Sequence, residues 1–139
     1  MYEYRCKITK VVDGDTIKCD LDLGFGIWQH NEVVRLKGID TPESRTSDKD
    51  EKPYGLLAKQ KLKDKIDEAD EVKILTEKDE KGKFGRILGT ISADGVNLIE
   101  WLVENKYAVR YHGQNKEEVQ AAHLDNRIIL NERGEINKE

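Results

Sequence analysis

Val34-Arg35-Leu36-Lys37-Gly38-Ile39-Asp40-Thr41-Pro42-Glu43 is the stretch on which the fold turns. Valine and leucine flank an arginine with the alternation of a strand, expected over residues 33–39. The strand then runs into a loop presenting two carboxylates three residues apart, Asp40 and Glu43. Upstream, Val12-Asp13-Gly14-Asp15-Thr16 supplies a tight turn and a further carboxylate, and a second arginine stands at Arg86. Oxygen donors able to hold a hard cation, beside guanidinium groups able to hold a phosphate, are the ingredients of metal-assisted phosphodiester cleavage.

Working outward, Tyr2, Tyr4, Cys6 and Ile8 alternate with polar residues, as do Ile17, Cys19, Leu21 and Leu23. These read as two half-buried strands joined in a hairpin at Asp13-Gly14. Gly24-Phe25-Gly26 punctuates the next connection, and residues 44–53 form a polar surface loop. From Gly55 the period changes: Ala58, Leu62, Ile66 and Ala69 share one helical face. Strands are expected again at residues 72–76 and 87–92, separated by a charged turn over residues 78–82. Asn97 with Glu100, and Asn115 with Glu118, have the spacing of capping boxes. They open a second helix through Leu98, Leu102 and Val103, and a third carrying Ala121, Leu124 and Ile128. Five strands with one helix inserted and two following imply a small barrel with helices packed on it, an α+β, mostly β, single domain spanning residues 1–139.

The chain has 139 residues, enough for one core, and 37% of them are charged against a usual share of about 25%. No apolar run is long enough to cross a membrane, so no membrane partner is expected. The protein is expected to be cytoplasmic as given, secreted only if a leader has been removed, and monomeric. Cys6 and Cys19 read as buried thiols rather than a disulfide or a zinc pair. His30, His112 and His123 lie at scattered spacings that suggest neither zinc nor a catalytic triad, and Trp28 and Trp101 read as core or near-core residues. The net charge of −4 runs against a nucleic-acid partner, but it is uneven: residues 1–63 carry +1 and residues 64–139 carry −5. The acidity lies away from the half that holds most of the candidate site. Any nucleic-acid binding is therefore expected to be strongly salt-dependent. Asp13-Gly14-Asp15 does not begin an EF-hand, because Lys18 and Gly24 occupy the positions where that loop needs glycine and glutamate.

Taken jointly, the motifs resemble the staphylococcal nuclease (thermonuclease) family, whose modules also recur in Tudor-containing proteins. The family's Asp-Gly-Asp-Thr turn stands as Asp13 to Thr16, and its Arg-Leu-x-x-x-Asp-Thr-Pro-Glu segment as Arg35 to Glu43. Its Tyr-Gly-x-x-Ala helix start stands as Tyr54 to Ala58. Its Lys-Tyr-Gly-Arg motif stands as Lys83-Phe84-Gly85-Arg86, with phenylalanine replacing tyrosine, and its Ala-x-x-Tyr as Ala108 to Tyr111. The third helix departs from relatives, running into Asn131-Glu132-Arg133-Gly134-Glu135-Ile136 without the usual tryptophan ending.

The resemblance implies a five-stranded OB-type barrel with three helices, and calcium-dependent hydrolysis of DNA and RNA phosphodiesters leaving 3′-phosphate ends. It further implies that Asp15, Asp40 and the Thr41 carbonyl are calcium ligands. Glu43 would be the general base, or at least orient the attacking water, and Arg35 and Arg86 would grip the phosphate. Lys83 resembles a helper at the phosphate, against the plainer reading of a solvated lysine beside a glycine turn. Tyr111 would stack on a base or touch a phosphate, or else close the barrel under the third helix. The substrates would be single-stranded or locally melted DNA and RNA, with low base specificity. The rival is a catalytically silent nuclease-like OB module that binds nucleic acid or protein.

Overall fold

β1 (Tyr2–Asp13) and β2 (Thr16–Gly24) form the expected antiparallel hairpin around Asp13-Gly14-Asp15 in the computed structural model, which describes residues 2–78 and 87–136. Tyr4, Cys6 and Ile8 are half-buried on one face of β1. A register irregularity between Ile8 and Lys10 then moves the inward face by one residue, so that Val11 is buried. β3 (Ile27–Leu36) begins six residues earlier than the sequence pattern suggested. Its first five residues are all exposed, because the outer ends of β2 and β3 project beyond the core and no inward face disciplines their alternation. Trp28 lies on that projecting ribbon, 43% exposed, and is not a core residue. Trp101 does pack against the core, its ring 5.6 Å from that of Tyr107.

The strand expected over residues 33–39 is two. Gly38 adopts a left-handed φ of 78°, ending β3 at Leu36 and restarting the chain as β4 (Ile39–Asp40). This short segment pairs antiparallel with β8 (Val109–Arg110). β5 (Val72–Lys78) adds to β1, and β6 (Ile87–Ala93) adds to β5 with a short extension, β7 (Val96–Asn97). β6 also pairs with β3 in parallel, at Val34–Ile87, Arg35–Leu88 and Leu36–Gly89, which closes five strands into a barrel. That is the expected OB-type architecture. Gly89 sits inside the seam because any Cβ there would come within 2.9 Å of both Ile74 and Val34.

α1 (Lys52–Asp67) starts with Pro53 in its first turn and lays Tyr54, Gly55, Ala58 and Leu62 on the barrel. α2 (Leu98–Glu104) is capped by Asn97, whose side chain accepts from the amides of Ile99 and Glu100 at 3.0 and 3.2 Å. Only half of the capping box forms there, since the Glu100 carboxylate turns to Arg110 instead. α3 (Lys116–Glu132) is capped by Asn115. Its inward face is not the stripe suggested by Ala121, Leu124 and Ile128. Leu124 and Ile128 are 45% and 58% exposed, while His123 and Leu130 on the opposite side are buried. The helix carries two apolar stripes, and only tertiary packing chooses between them. Beyond it, the end without the usual tryptophan is held by other means. Ile136 packs on the core, and Glu135 accepts a hydrogen bond from Tyr107 whose phenol, pushed up by burial, stays protonated.

Lys83, Arg86 and all of the expected charged turn but Lys78 lie outside the described residues. Among the described residues no helix is long and apolar enough to cross a membrane. The core is built from Ile17, Val34, Leu36, Ile74 and Ile91 of the barrel, with Leu62, Leu98 and Leu102 of the helices sealing it. Leu62, wholly buried, joins α1 to that core. Leu62→Ala is expected to lower stability by about 2–5 kcal/mol, measured by urea denaturation, through lost burial and the cavity left behind.

Candidate active-site cleft

The β1–β2 turn, the end of β3 and the chain after β4 meet at one rim of the barrel. Arg35, the penultimate residue of β3, points into that junction with its side chain 19% exposed. Its Nη1 donates to the carbonyls of Leu36 (3.0 Å) and Asp15 (3.3 Å), and its Nη2 to that of Ile39 (2.8 Å). The same Nη2 lies 3.5 Å from Asp15 Oδ2 and 3.9 Å from Asp40 Oδ1. One guanidinium thus gathers both carboxylates and both loops. Asp15 is fixed further, since its Oδ1 accepts from Thr16 Oγ1 (3.0 Å) and its Oδ2 from the Thr41 amide (3.2 Å).

Thr41 is buried against Gly14, where a Cβ would come within 2.9 Å of both Thr41 Cγ2 and the Ala58 Cβ. The glycine of the Asp-Gly-Asp turn is therefore required by close approach rather than by a left-handed backbone. Ser44 is also buried, and both its amide and its hydroxyl donate to Asp13. Between these two anchored residues Glu43 is exposed at the cleft, its backbone amide donating to Glu51 Oε2 at 2.7 Å. Glu51 is the N-cap of α1, yet its carboxylate does not cap that helix because it is engaged with the loop. Gly55 completes the support: a Cβ there would lie 2.2 Å from the Glu43 carbonyl oxygen.

The cleft has a volume of about 510 Å³. Arg35, Asp40, Thr41 and Glu43 line its barrel side, and Tyr111, Lys116 and His123 its α3 side. Tyr111 is held by a hydrogen bond from its amide to the Gly38 carbonyl (2.8 Å), and its ring is 46% exposed at the cleft wall rather than closing the barrel. His123, set aside in the sequence for its spacing, is buried with Nε2 2.7 Å from Asp40 Oδ2. Two of the sequence-derived site residues, Lys83 and Arg86, lie outside the described residues, and the structure brings Asp15, Arg35, Asp40, Thr41, Glu43 and Tyr111 to one rim. Sequence reasoning missed His123 and Glu51. No spacing rule links either to its partner, although Glu51 could have been noticed as an acidic N-cap eight residues after Glu43.

Among the described residues no three His, Cys, Asp or Glu side chains converge as a metal set. The donors present are nevertheless the hard oxygens that calcium takes: two carboxylates drawn to one guanidinium nitrogen, beside a buried Thr41 hydroxyl that has no hydrogen-bond partner among the described residues. In donor type the rim fits a calcium ion.

A closed five-stranded barrel with three helices and a cleft built around a strand-end arginine defines a class of small OB-type α+β domain. The family model described as "Staphylococcal nuclease homologue" matches residues 33–127, and the chain belongs to that family. Among similar proteins, endonuclease YhcR of Bacillus subtilis is 29% identical over 94% of this chain and 12% of its own length. The SPbeta prophage-derived endonuclease YokF of the same organism is 26% identical over 93% of this chain and 45% of its own. The thermonuclease of Staphylococcus intermedius is 33% identical over 60% of this chain and 46% of its own. The chain thus spans less than half the length of these relatives.

The support beneath Glu43 can be tested without assaying activity. Alanine normally favours a helix over glycine by about 1 kcal/mol. At Gly55 the sign should reverse: Gly55→Ala should destabilise by about 1–3 kcal/mol and accelerate hydrogen exchange at the Glu43 amide, read by denaturation and NMR.

Proposed function

We propose that this domain is a calcium-dependent nuclease that hydrolyses phosphodiester bonds of DNA and RNA by in-line attack of water, leaving 3′-phosphate ends. The observation that carries the reading is the meeting of Asp15, Asp40 and Arg35 at the rim beside a cleft in which Glu43 stands exposed on a rigidly backed loop. Asp15, Asp40 and the Thr41 carbonyl hold the calcium ion. When bound, calcium supplies positive charge that offsets the phosphate and makes water easier to deprotonate.

Glu43 orients the attacking water and accepts its proton, and the anchoring of Thr41 and Ser44 on either side fixes where that carboxylate can reach. Arg35 and Arg86 stabilise the charge that gathers on the phosphate oxygens during displacement. Three of Arg35's contacts are to backbone carbonyls, so Arg35 also serves as a scaffold. Tyr111 at the cleft wall stacks on an unpaired base, favouring single-stranded or locally melted substrate, and Lys83 assists at the phosphate. The extensive internal use of Arg35 also favours, second, a silent module that binds nucleic acid at the same cleft.

Glu43→Gln separates the two readings. It should leave folding and calcium binding intact and lower cleavage of single-stranded DNA at least about 100-fold, measured by gel assay with calcium or chelator. Cleavage at the wild-type rate would remove Glu43 from the chemistry, and binding without cleavage by the wild-type protein would favour the silent module. Raising salt from about 50 to 200 mM should weaken substrate binding several-fold or more, read by fluorescence anisotropy. A flat response would argue against a phosphate-led interface.

A further inference from the structure

Resting on the proposed calcium site, we infer that His123 is a positioning residue that sets Asp40 for the cation. The two side chains come from elements far apart in sequence, β4 and α3, and meet at 2.7 Å with the imidazole buried. A carboxylate can only accept, so Nε2–H donates and Asp40 Oδ2 is occupied. Asp40 Oδ1 faces Arg35 Nη2 at 3.9 Å, beyond hydrogen-bond length.

That asymmetry matters because a carboxylate beside a guanidinium can rotate into a two-pronged pair that engages both of its oxygens. Such a pair would withdraw Asp40 from any cation. A donor on the opposite side of Asp40 competes with this rotation. His123 holds one oxygen away from Arg35 and leaves the other at the cleft as a single, directed ligand.

Val119, His123 and Leu130 lie along the inward face of α3, which brings the buried imidazole against the acidic rim. Elsewhere α3 is tied down by Asn126 to the Ala108 carbonyl (3.3 Å), by Asn131 to the Tyr54 hydroxyl (2.8 Å) and by Arg127 over the Tyr54 ring. None of these touches a candidate ligand. Among the described residues His123 is the hydrogen-bonded link from α3 to the acidic rim.

The test is calcium titration by calorimetry on the whole chain, comparing wild type with His123→Leu, which keeps bulk and removes the donor, and His123→Gln, which keeps an N–H near the place of Nε2. Circular dichroism and thermal melting verify folding, and His123→Ala replaces the leucine variant if that one fails to fold. Leucine is expected to weaken calcium binding about tenfold or more, and glutamine to return it to within about threefold of wild type. Unchanged calcium affinity in the folded leucine variant would overturn the inference, as would a folded glutamine variant no better than leucine. A wild-type protein that takes up no calcium would remove the metal reading itself, and this inference with it; only that outcome touches the wild type.

Discussion

The guanidinium of Arg35 is the fixed point of this molecule's business end. Its contacts reach the β1–β2 turn through the Asp15 carbonyl, the end of β3 through Leu36, and β4 through Ile39. Without that charge, Asp15 and Asp40 would face one another with no counter-ion between them and repel. The permanent charge and fan of donors on arginine make this possible; a lysine could not serve three carbonyls and two carboxylates in one plane. The rim is thereby organised before any ligand arrives, which is what catalysis by fixed dipoles and charges requires.

Around that point the protein uses glycine and short side chains to bring backbones together. Gly14 lets the Asp-Gly-Asp turn lie on Thr41 and Ala58, and Gly55 lets α1 press against the Glu43 carbonyl. Asp13 and Glu51 then satisfy the amides of Ser44 and Glu43. The segment carrying Glu43 is consequently a loop in dihedral angles but part of the barrel–α1 interface in packing. The backbone beneath the exposed Glu43 side chain is thus fixed by packing from both sides.

Much of this was legible in the sequence, for physical reasons that differ from place to place. The alternation in β2 and the helical period from Gly55 were readable because both elements bury one face. Asn97 and Asn115 announced their helices because capping is local chemistry. The first half of β3 was not readable, since a strand exposed on both faces carries no alternation. The orientation of α3 misled because Leu124 and Ile128 make a better stripe than Val119, His123 and Leu130, which the barrel selects. The acids and Arg35 stood out as a motif. The partners that hold them, His123 and Glu51, are linked to them only through space, and no periodicity encodes that.

The parallel pairing of β3 with β6 has a kinetic meaning as well. Segments widely separated along the chain must meet before the barrel closes, and their closure entropy is incurred before the pairing returns any energy. Arg35 belongs to that seam, opposite Leu88. Closing the barrel therefore holds in place the strand from which Arg35 reaches the acidic rim. The geometry of a local cluster is in this way tied to a pairing between segments about fifty residues apart.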